Sequence, residues 1–196
     1  MSVDQIEPTE ETPSLKPPKS RRRGFIEWII VLVAAVALSF LVRTFVVQEY
    51  FVPSSSMTPT LDIGDRILVN KLSVDFGTVN IGDIVVFKAP PNVKTVCSDD
   101  VADLVKRVIG VPGDTLYSKG NTIYVNGKPL DQKWTVYKAI GSVPIKRITL
   151  KKNMYFMMGD DHSGSCDSRY WGPVPRSDLI GKVFFKVWPL SHWHWY

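Results

Sequence analysis

A serine-rich turn at residues 53–61 is the first stretch of this sequence whose side chains could do chemistry. It reads Pro-Ser-Ser-Ser-Met-Thr-Pro-Thr-Leu, so prolines stand on both sides of three consecutive serines. Proline fixes its own φ angle and pushes the preceding residue toward extended geometry, so we expect the serines to be held between two stiff points. A serine hydroxyl held in this way is a candidate nucleophile, although the pattern alone does not choose among Ser54, Ser55 and Ser56.

A serine nucleophile needs a base beside it, and histidine is the most familiar one. The chain has three histidines, one at position 162 and two in the C-terminal segment 192–194. A Ser-His-Asp triad would therefore depend on His162, with Asp160, Asp161 or Asp167 as its orienting carboxylate.

A buried lysine is the alternative base, because desolvation disfavours the charged amine and can lower its pKa. Residues 104–109, Leu-Val-Lys-Arg-Val-Ile, place two charges in a predicted strand. With a period of two, Lys106 shares a face with Leu104 and Val108, and Arg107 lies on the other face. Arginine does not release its proton, so only Lys106 can serve as the base. The non-catalytic alternative is an edge strand on which Lys106 is solvated.

Residues 25–47 form a long apolar run whose only charges are Glu27 and Arg43. The span 25–42 corresponds to roughly 27 Å of helix, which is close to the thickness of the hydrocarbon core of a bilayer. No small-residue cleavage site follows the run, which argues against a cleavable signal peptide. The run is apolar on all sides, which argues against a buried core helix. We therefore predict an uncleaved transmembrane anchor with an interfacial segment over residues 25–47.

The charges that flank this run predict its orientation. Three consecutive arginines, residues 21–23, precede the run, and only Arg43 lies near its other end. Because positive charges favour the cytoplasmic side, we expect residues 1–24 to be a cytoplasmic tail and residues 48–196 to lie outside. The prolines and polar residues of the tail indicate disorder. The expected location is the plasma membrane, with single-pass topology.

Beyond residue 47 the sequence pattern is typical of β-structure. Short β-branched or aromatic runs alternate with turn residues, several of them Gly-Asp pairs. Asn126-Gly127 predicts a tight hairpin, and Pro129 restricts its second arm to an edge strand. We predict a mostly β fold in which one N-terminal transmembrane helix precedes an antiparallel β-sheet catalytic domain with coiled or packed sheets. Residues 128–153 are predicted to be an insertion or loop with a β-hairpin.

Charge and cysteine content narrow the functional classes. The formal net charge of +5 is only mildly basic and partly concentrated at the N-terminus, so we expect no nucleic-acid binding. His192 and His194 have no carboxylate or thiol beside them, so we expect no metal site. Cys97 and Cys166 have neither redox nor zinc-site spacing, and they form either one disulfide or two buried thiols.

Four stretches of the sequence follow one another in a distinctive order. They are the turn 53–61 followed by Gly64-Asp65, residues 82–87 (Gly-Asp-Ile-Val-Val-Phe), residues 106–114 (Lys-Arg-Val-Ile-Gly-Val-Pro-Gly-Asp) and residues 159–172, from Gly-Asp-Asp to Trp-Gly. This series closely resembles bacterial type I signal peptidases. The resemblance runs from the apolar helix to Trp188-Pro189, and the N-terminal tail and residues 128–153 are its variable parts.

The resemblance implies a serine endopeptidase that cuts with a serine/lysine dyad. Ser56 would be the nucleophile, and Lys106 would be the general base that takes its proton and later returns it to the leaving amine. The Ser56 backbone N–H and the Ser54 hydroxyl would hold the oxyanion. No cofactor is implied.

The resemblance also implies supporting residues around the dyad. Ser165 matches a serine that orients the lysine in the family. Asp160 and the pair of Asp167 and Arg169 match charged residues that shape the site, and we expect this pair to lie on one face of an extended strand.

The sequence departs from the family pattern at residues 161–164. Asp-His-Ser-Gly stands there, where many members have Asn-Arg-Asp-Asn, and the resemblance gives His162 no catalytic role. Cys166 follows Ser165 directly, so a bridge to Cys97 would brace the active-site loop.

Substrate choice in the family depends on small residues at the first and third positions before the cut, bound as an extended strand in shallow apolar pockets. Val52, Met57 and Leu104 are our candidates for lining these pockets, and ordinary core packing is the alternative. The expected partners are preproteins that carry signal peptides, the lipid bilayer and the export machinery.

Two other functions compete with this interpretation. One is a related serine/lysine protease with another target, and the other is a catalytically silent membrane-tethered β-domain that binds exported chains. A serine/lysine protease of the repressor type would have a DNA-binding domain before the protease domain. This sequence has the apolar anchor at that place, which argues against such a protease. The presence of both Ser56 and Lys106 argues against a silent domain.

Overall fold

The structure is a computed structural model that describes residues 21–196 except 99, 136–139 and 142. Residues 1–20 of the predicted cytoplasmic tail lie outside the described residues. Helix α1 spans Arg21–Phe45, so it begins four residues before the predicted start of the anchor. The stretch Gly24–Arg43 is long and apolar enough to cross a membrane, and none of it is buried.

The residues from 41 onward form a compact unit built on two antiparallel sheets. The strands of the larger sheet are β1 (Val47–Phe51), β2 (Arg66–Asn70), β3 (Ile84–Lys88), β4 (Asp103–Gly110), β9 (Met154–Met158), β10 (Val174–Pro175), β11 (Leu179–Trp188) and β12 (His194–Trp195). Their order is β1-β2-β11-β3-β4-β9-β10, with β12 paired to β11. Strands distant in sequence are therefore neighbours in space.

The smaller sheet contains β5 (Thr115–Lys119), β6 (Thr122–Val125), β7 (Lys128–Pro129) and β8 (Ile148–Thr149), in the order β7-β6-β5-β8. Asn126 and Gly127 join β6 to β7 and have φ angles of 51° and 80°, as a primed hairpin turn requires. The predicted hairpin is thus confirmed, and β7 is a two-residue edge strand. The hairpin predicted within residues 128–153 is not seen in their described part, where β7 and β8 pair with other strands instead.

Helices beyond residue 47 are short in the described chain. They are α2 (Leu72–Asp75), α3 (Val93–Cys97) and α4 (Ser168–Trp171), together with 3-10 turns at Ser55–Met57, Arg176–Asp178 and Leu190–His192. The predicted fold class, mostly antiparallel β with one N-terminal apolar helix, is confirmed.

Strand β3 lies between two hydrophobic clusters, which explains why its sequence is continuously apolar. Val85 and Phe87 pack into a cluster with residues of β4 and β9, while Ile84 and Val86 pack on the other face with Met57 of the serine-rich turn. Successive side chains of a strand point to opposite faces, so a strand buried on both sides needs apolar residues at every position. This packing seats the serine-rich turn against the centre of the large sheet.

A disulfide joins Cys97, at the end of α3, to Cys166, which precedes α4. The bonded residues are 69 positions apart, and both side chains pack against the cluster that contains Phe87. Of the two alternatives for the cysteines, one disulfide or two buried thiols, the structure contains the disulfide. The bridge ties the α3 region to the loop that contains Ser165.

Replacing Cys97 and Cys166 together by serine should lower the free energy of unfolding by about 2–4 kcal/mol, because the unfolded chain loses a constraint on a long loop. Urea unfolding in detergent measures this difference. The denatured, unreduced wild type should show no reactive thiol, since the sequence contains no other cysteine. Two reactive thiols per chain would contradict the bridge.

Candidate active site

The serine-rich turn folds as one 3-10 turn, Ser55–Met57, whose backbone enters and leaves in extended conformation at Ser54 and Thr58. The Thr58 N–H donates to the Ser55 carbonyl, and the Leu61 N–H donates to the Met57 carbonyl. Met57 and Leu61 are fully buried in the core, whereas Ser54 and Ser55 are exposed and Ser56 is 7% exposed. The core therefore fixes the turn and leaves Ser56 at the inner edge of a cleft.

Lys106 lies within β4 and is only 3% exposed. Its Nζ donates a hydrogen bond to Ser56 Oγ, across 50 positions of sequence. Ser54 Oγ lies 3.2 Å from Ser56 Oγ. The structure thus brings together three of the predicted site residues.

Arg107 points to the opposite face of β4 and forms a buried ion pair with Asp160. Its Nε and Nη2 lie 2.8 and 2.7 Å from the two carboxylate oxygens, and the same guanidinium donates to the Gly82 carbonyl. Thr60 Oγ1 donates to Asp160 Oδ2 at 2.5 Å. This network ties β4 to the end of the serine-rich turn and to the loop after β9. Loss of one partner from such a pair costs about 3–5 kcal/mol, because the other charge stays buried.

Ser165 lies against the Ser56 backbone with only Gly159 between them. A Cβ atom at Gly159 would overlap the Ser56 carbonyl oxygen and lie 2.5 Å from Ser165 Oγ. Ser165 is buried, and its hydroxyl also lies 3.4 Å from the Cys166 carbonyl, to which it donates. The glycine lets the loop after β9 reach the serine-rich turn.

Asp167 and Arg169 form a second buried ion pair, with two contacts of 2.8 Å between guanidinium and carboxylate. Arg169 also donates to the carbonyls of His162 and Ser165, at 2.7 and 3.0 Å. We expected the pair to lie on an extended strand, but Asp167 is the N-cap of helix α4, and its side chain accepts the Arg169 N–H. The i, i+2 spacing suits this cap equally well, because the first turn of a helix bends the chain back to its cap. The pair thus holds the loop that contains Ser165.

His162 is buried, and neither ring nitrogen has a hydrogen-bond partner among the described residues. Burial lowers the pKa of His162 below its usual value, and the charge of Arg169 lowers it further. The described structure therefore contains no bond between His162 and Ser56, and Lys106 is the residue whose side chain hydrogen-bonds to Ser56 Oγ.

A cleft of about 210 Å³ opens beside Ser56 and Lys106. Ser54, Ser56 and Lys106 line one end of it, and Tyr50 and Asp103 line it as well. Its apolar lining residues are Phe51, Pro53, Ile67, Val86, Val101, Leu104 and Val105. The cleft therefore has an apolar wall with a few polar groups.

The three predicted pocket residues differ in their positions. Leu104 lines the cleft, whereas Val52 and Met57 do not and are 1% and 0% exposed in the core. Sequence reasoning missed Tyr50 and Asp103. The signal for them was their position in the sequence, since Tyr50 precedes the serine-rich turn and Asp103 precedes Lys106 by three residues.

Comparison with known proteins identifies the family. The model of the family described as signal peptidase, peptidase S26, matches residues 25–188. The chain belongs to the signal peptidase family. This membership confirms the resemblance inferred from the four ordered stretches, and it makes the protein a peptidase of the signal peptidase I type.

Curated signal peptidases match most of the chain. Signal peptidase I of Leptolyngbya laminosa is 34% identical over 97% of this chain and 95% of its own length. Probable signal peptidase I-2 of Synechocystis sp. is 39% identical over 81% of this chain and 71% of its own length. Signal peptidase IB of Staphylococcus aureus is 34% identical over 87% of this chain and 93% of its own length. The solved signal peptidase I of Enterococcus faecalis V583 has a TM-score of 0.42 at 24% identity, over 54% of this chain and 96% of that chain.

Gly159→Ala should reduce kcat of this signal peptidase family member by about 100-fold or more. The added Cβ must push Ser56 and Ser165 apart, and a displacement of about 1 Å near the reacting atoms has an effect of that size. Cleavage of a precursor peptide by the full-length protein in detergent measures kcat, and thermal unfolding checks the fold.

Gly110→Ala is the matched control. The three atoms nearest its added Cβ are side-chain ends of Leu116 and Leu150, so it strains packing at a distance from the Ser56 backbone. Wild-type kcat in Gly159→Ala would contradict the close approach described here.

Proposed function

We propose that this protein is a membrane-anchored serine endopeptidase that removes N-terminal signal peptides from exported preproteins, cutting after a small residue. Ser56 is the nucleophile and Lys106 is its general base. The single observation that carries this proposal is the hydrogen bond between Lys106 Nζ and Ser56 Oγ in a buried site. Membership of the signal peptidase family supports the choice of substrate.

Burial is what makes Lys106 a suitable base. A buried ammonium ion loses its hydration, so the neutral amine is favoured relative to a lysine in water. The charge next to it in sequence, on Arg107, is neutralised by Asp160 on the other face of β4. Lys106 in its neutral form accepts the proton of the Ser56 hydroxyl.

The reaction proceeds in two steps at the peptide carbonyl. Ser56 Oγ forms a bond to the carbonyl carbon while its proton moves to Lys106, and the C–N bond then breaks as Lys106 gives that proton to the leaving amine. The ester on Ser56 is next attacked by water, whose proton passes to Lys106, and the bond to Ser56 Oγ breaks with return of the proton. The products are the mature amine and the signal-peptide carboxylate.

The Ser56 backbone N–H and the Ser54 hydroxyl are the donors for the oxyanion in this proposal. The distance of 3.2 Å between Ser54 Oγ and Ser56 Oγ supports it, because an oxygen developing beside Ser56 lies within reach of Ser54. Ser165 acts by orienting Lys106 in this proposal, a role supported by its match to the family pattern, and Gly159 lets Ser165 lie close to Ser56. Asp160, Asp167 and Arg169 hold the surrounding loops through their ion pairs.

An extended substrate strand fits the unpaired edges beside the dyad. In the described pairings β4 bonds to β3 from Asp103 to Arg107, but its other edge bonds to β9 only from Arg107 onward. Strand β1 pairs with β2 alone. A peptide added to such an edge gains main-chain hydrogen bonds and places alternate side chains in the cleft. The scissile bond then lies at Ser56, at the end of the cleft.

We also propose that residues 25–47 anchor the enzyme in the plasma membrane and that residues 48–196 form the extracytoplasmic peptidase domain. The apolar helix and the arginines before it support this topology. The disulfide supports it as well, because structural disulfides persist outside the cytosol. The partners in this proposal are preproteins with signal peptides, the bilayer and the export machinery.

Ser56→Ala and Lys106→Ala should each reduce cleavage of a secretory precursor at least about 1,000-fold, because each removes one half of the nucleophile and base pair. Purified full-length protein in detergent is incubated with the precursor, and mass spectrometry locates the cut after a small residue. Ser55→Ala is the control, since Ser55 is the exposed neighbour in the same turn. Unchanged cutting by Lys106→Ala would reject the dyad.

The activity should rise with pH as the Lys106 ammonium loses its proton, with a midpoint below the value of about 10.4 for lysine in water. Values of kcat/KM between pH 6 and pH 10.5 measure the profile. Burial and the charge of Asp103 raise the pKa of Tyr50 to about 12, so this cleft residue does not titrate in that window. A profile that stays flat across the whole range would count against a lysine base.

A further inference from the structure

Residues 189–196 form a return segment that folds back along strand β11. The 3-10 turn at Leu190–His192 reverses the chain, and β12 then pairs with β11 so that Trp195 lies opposite Phe185. The rings of these two residues pack with their centroids 4.4 Å apart. These contacts fix the return segment to β11, with Tyr196 at its far end.

Tyr196 connects the return segment to the serine-rich turn. Its hydroxyl donates to the Thr60 carbonyl at 2.9 Å, across 136 positions of sequence. A cavity of about 670 Å³ lies between the same two parts of the chain, and Thr60, Trp193 and Tyr196 are among the residues that line it. Because side chains do not fill this space, the hydrogen bond has a large share in joining the return segment to the turn.

Thr60 is held both by its carbonyl and by its hydroxyl. The hydroxyl donates to Asp160 Oδ2 at 2.5 Å, and the carbonyl accepts from Tyr196 and, at 3.4 Å, from Lys186 Nζ. Lys186 Nζ lies closer to Asp65, at 3.0 Å, and forms an ion pair with it. Tyr196 is therefore the stronger of the two donors to the Thr60 carbonyl.

The position of Thr60 influences the backbone around Ser56 through two sets of hydrogen bonds. The Leu61 N–H, which follows Thr60 directly, donates to the carbonyl of Met57, the residue after Ser56. The Asp161 N–H donates to the Ser56 carbonyl at 3.2 Å, and it adjoins the carboxylate residue that accepts the Thr60 hydroxyl. A displacement of Thr60 is therefore passed on to Ser56 from both directions.

We propose that Tyr196 is a positioning residue for the nucleophile, which holds the Thr60 carbonyl and so keeps the serine-rich turn where Ser56 Oγ meets Lys106. This inference rests on the proposed function, because it takes Ser56 as the nucleophile. Tyr196 is not among the residues that line the cleft beside Ser56 and Lys106. It therefore acts on kcat rather than on substrate binding.

The Tyr196 hydroxyl keeps its proton at every pH at which cleavage is measured. Burial and the charge of Asp65 raise the pKa of Tyr196 to about 12, while Arg107 acts against them and Asp160 and Asp62 add smaller effects in the same direction. The neutral, donating form is therefore retained up to that pH. The pH midpoint of kcat/KM should be the same in Tyr196→Phe as in the wild type, and only the height of the curve should fall. A shifted midpoint would indicate a change at the lysine base and would overturn the proposal.

Tyr196→Phe tests this one bond, because it keeps the ring and removes the hydroxyl. Full-length protein in detergent should cleave a precursor peptide with a kcat about fivefold lower, the size of effect that one hydrogen bond has, and with KM within about twofold of the wild type. A wild-type kcat would overturn the proposal, and so would a fall in kcat/KM that comes entirely from KM. A loss of kcat that disappears at lower temperature would show a merely structural role and would overturn it as well.

Two control variants separate this bond from similar changes elsewhere. Tyr124→Phe removes a hydroxyl from a tyrosine that stacks on Tyr117 in the smaller sheet. Trp193→Phe removes a donor from the return segment itself, but this donor bonds to the Val187 carbonyl of β11 rather than to the turn. Both variants should have a kcat within about twofold of the wild type. A fivefold loss in Tyr124→Phe would show that the effect is not specific to Tyr196 and would overturn the proposal.

Hydrogen exchange of backbone amides, measured by mass spectrometry, separates this inference from the proposed function. In Tyr196→Phe the amides of Thr58 and Leu61, which donate within the turn, should exchange about fivefold faster, whereas the amides of β4 that pair with β3 should keep their wild-type rates. If the wild type cleaves no precursor but this difference is found, Tyr196 holds the turn and the peptidase proposal fails. If the wild type cleaves the precursor and Tyr196→Phe has the wild-type kcat and exchange rates, only the role of Tyr196 fails.

Discussion

Two adjacent basic residues within β4 impose a strong constraint on this fold. Lys106 and Arg107 point to opposite faces of one strand, and both are buried, at 3% and 6% exposure. Each buried charge or amine needs a partner, because burying it alone is very costly. Arg107 finds its partner in Asp160, and Lys106 contacts Ser56. The contacts of these two side chains therefore bring the serine-rich turn and the loop after β9 to the same strand.

The same constraint explains why so many loops around the site are fixed by charge. The Thr60 hydroxyl and the Arg107 guanidinium share the Asp160 carboxylate, and the Asp167–Arg169 pair fastens the segment just beyond it. Lys186 forms a further buried pair with Asp65 and lies 3.4 Å from the Thr60 carbonyl, so the end of the turn is held from β11 as well. Such buried ion pairs add little to the free energy of unfolding. Removing one partner lowers that free energy strongly, because the other charge stays buried. They select one arrangement of the loops over the alternatives.

Much of this arrangement could be predicted from the sequence, because the relevant signals are local. The period of two in residues 104–109 separated Lys106 from Arg107, and the Asn126-Gly127 turn and the apolar run of α1 gave the fold class. Contacts between distant segments left no such signal. Three features depend on such contacts: the core positions of Val52 and Met57, the N-cap role of Asp167, and the presence of Tyr50 and Asp103 in one cleft. Ser165 and Ser54 could be named only through the family resemblance.

The separation in sequence between the halves of the site has a consequence for how the protein is made. Asp160 bonds to Thr60 across 100 positions, and Gly159 brings its loop onto the backbone of Ser56. A nascent chain that has emerged only as far as β8 carries the serine-rich turn and the lysine strand, but it lacks the carboxylate that neutralises Arg107 and the loop that closes over Ser56. Such a chain therefore has Ser56 and Lys106 without two of the contacts that fix the turn and the strand around them. The contacts around Ser56 and Arg107 are complete only when the segment that follows β9 has been made and has docked.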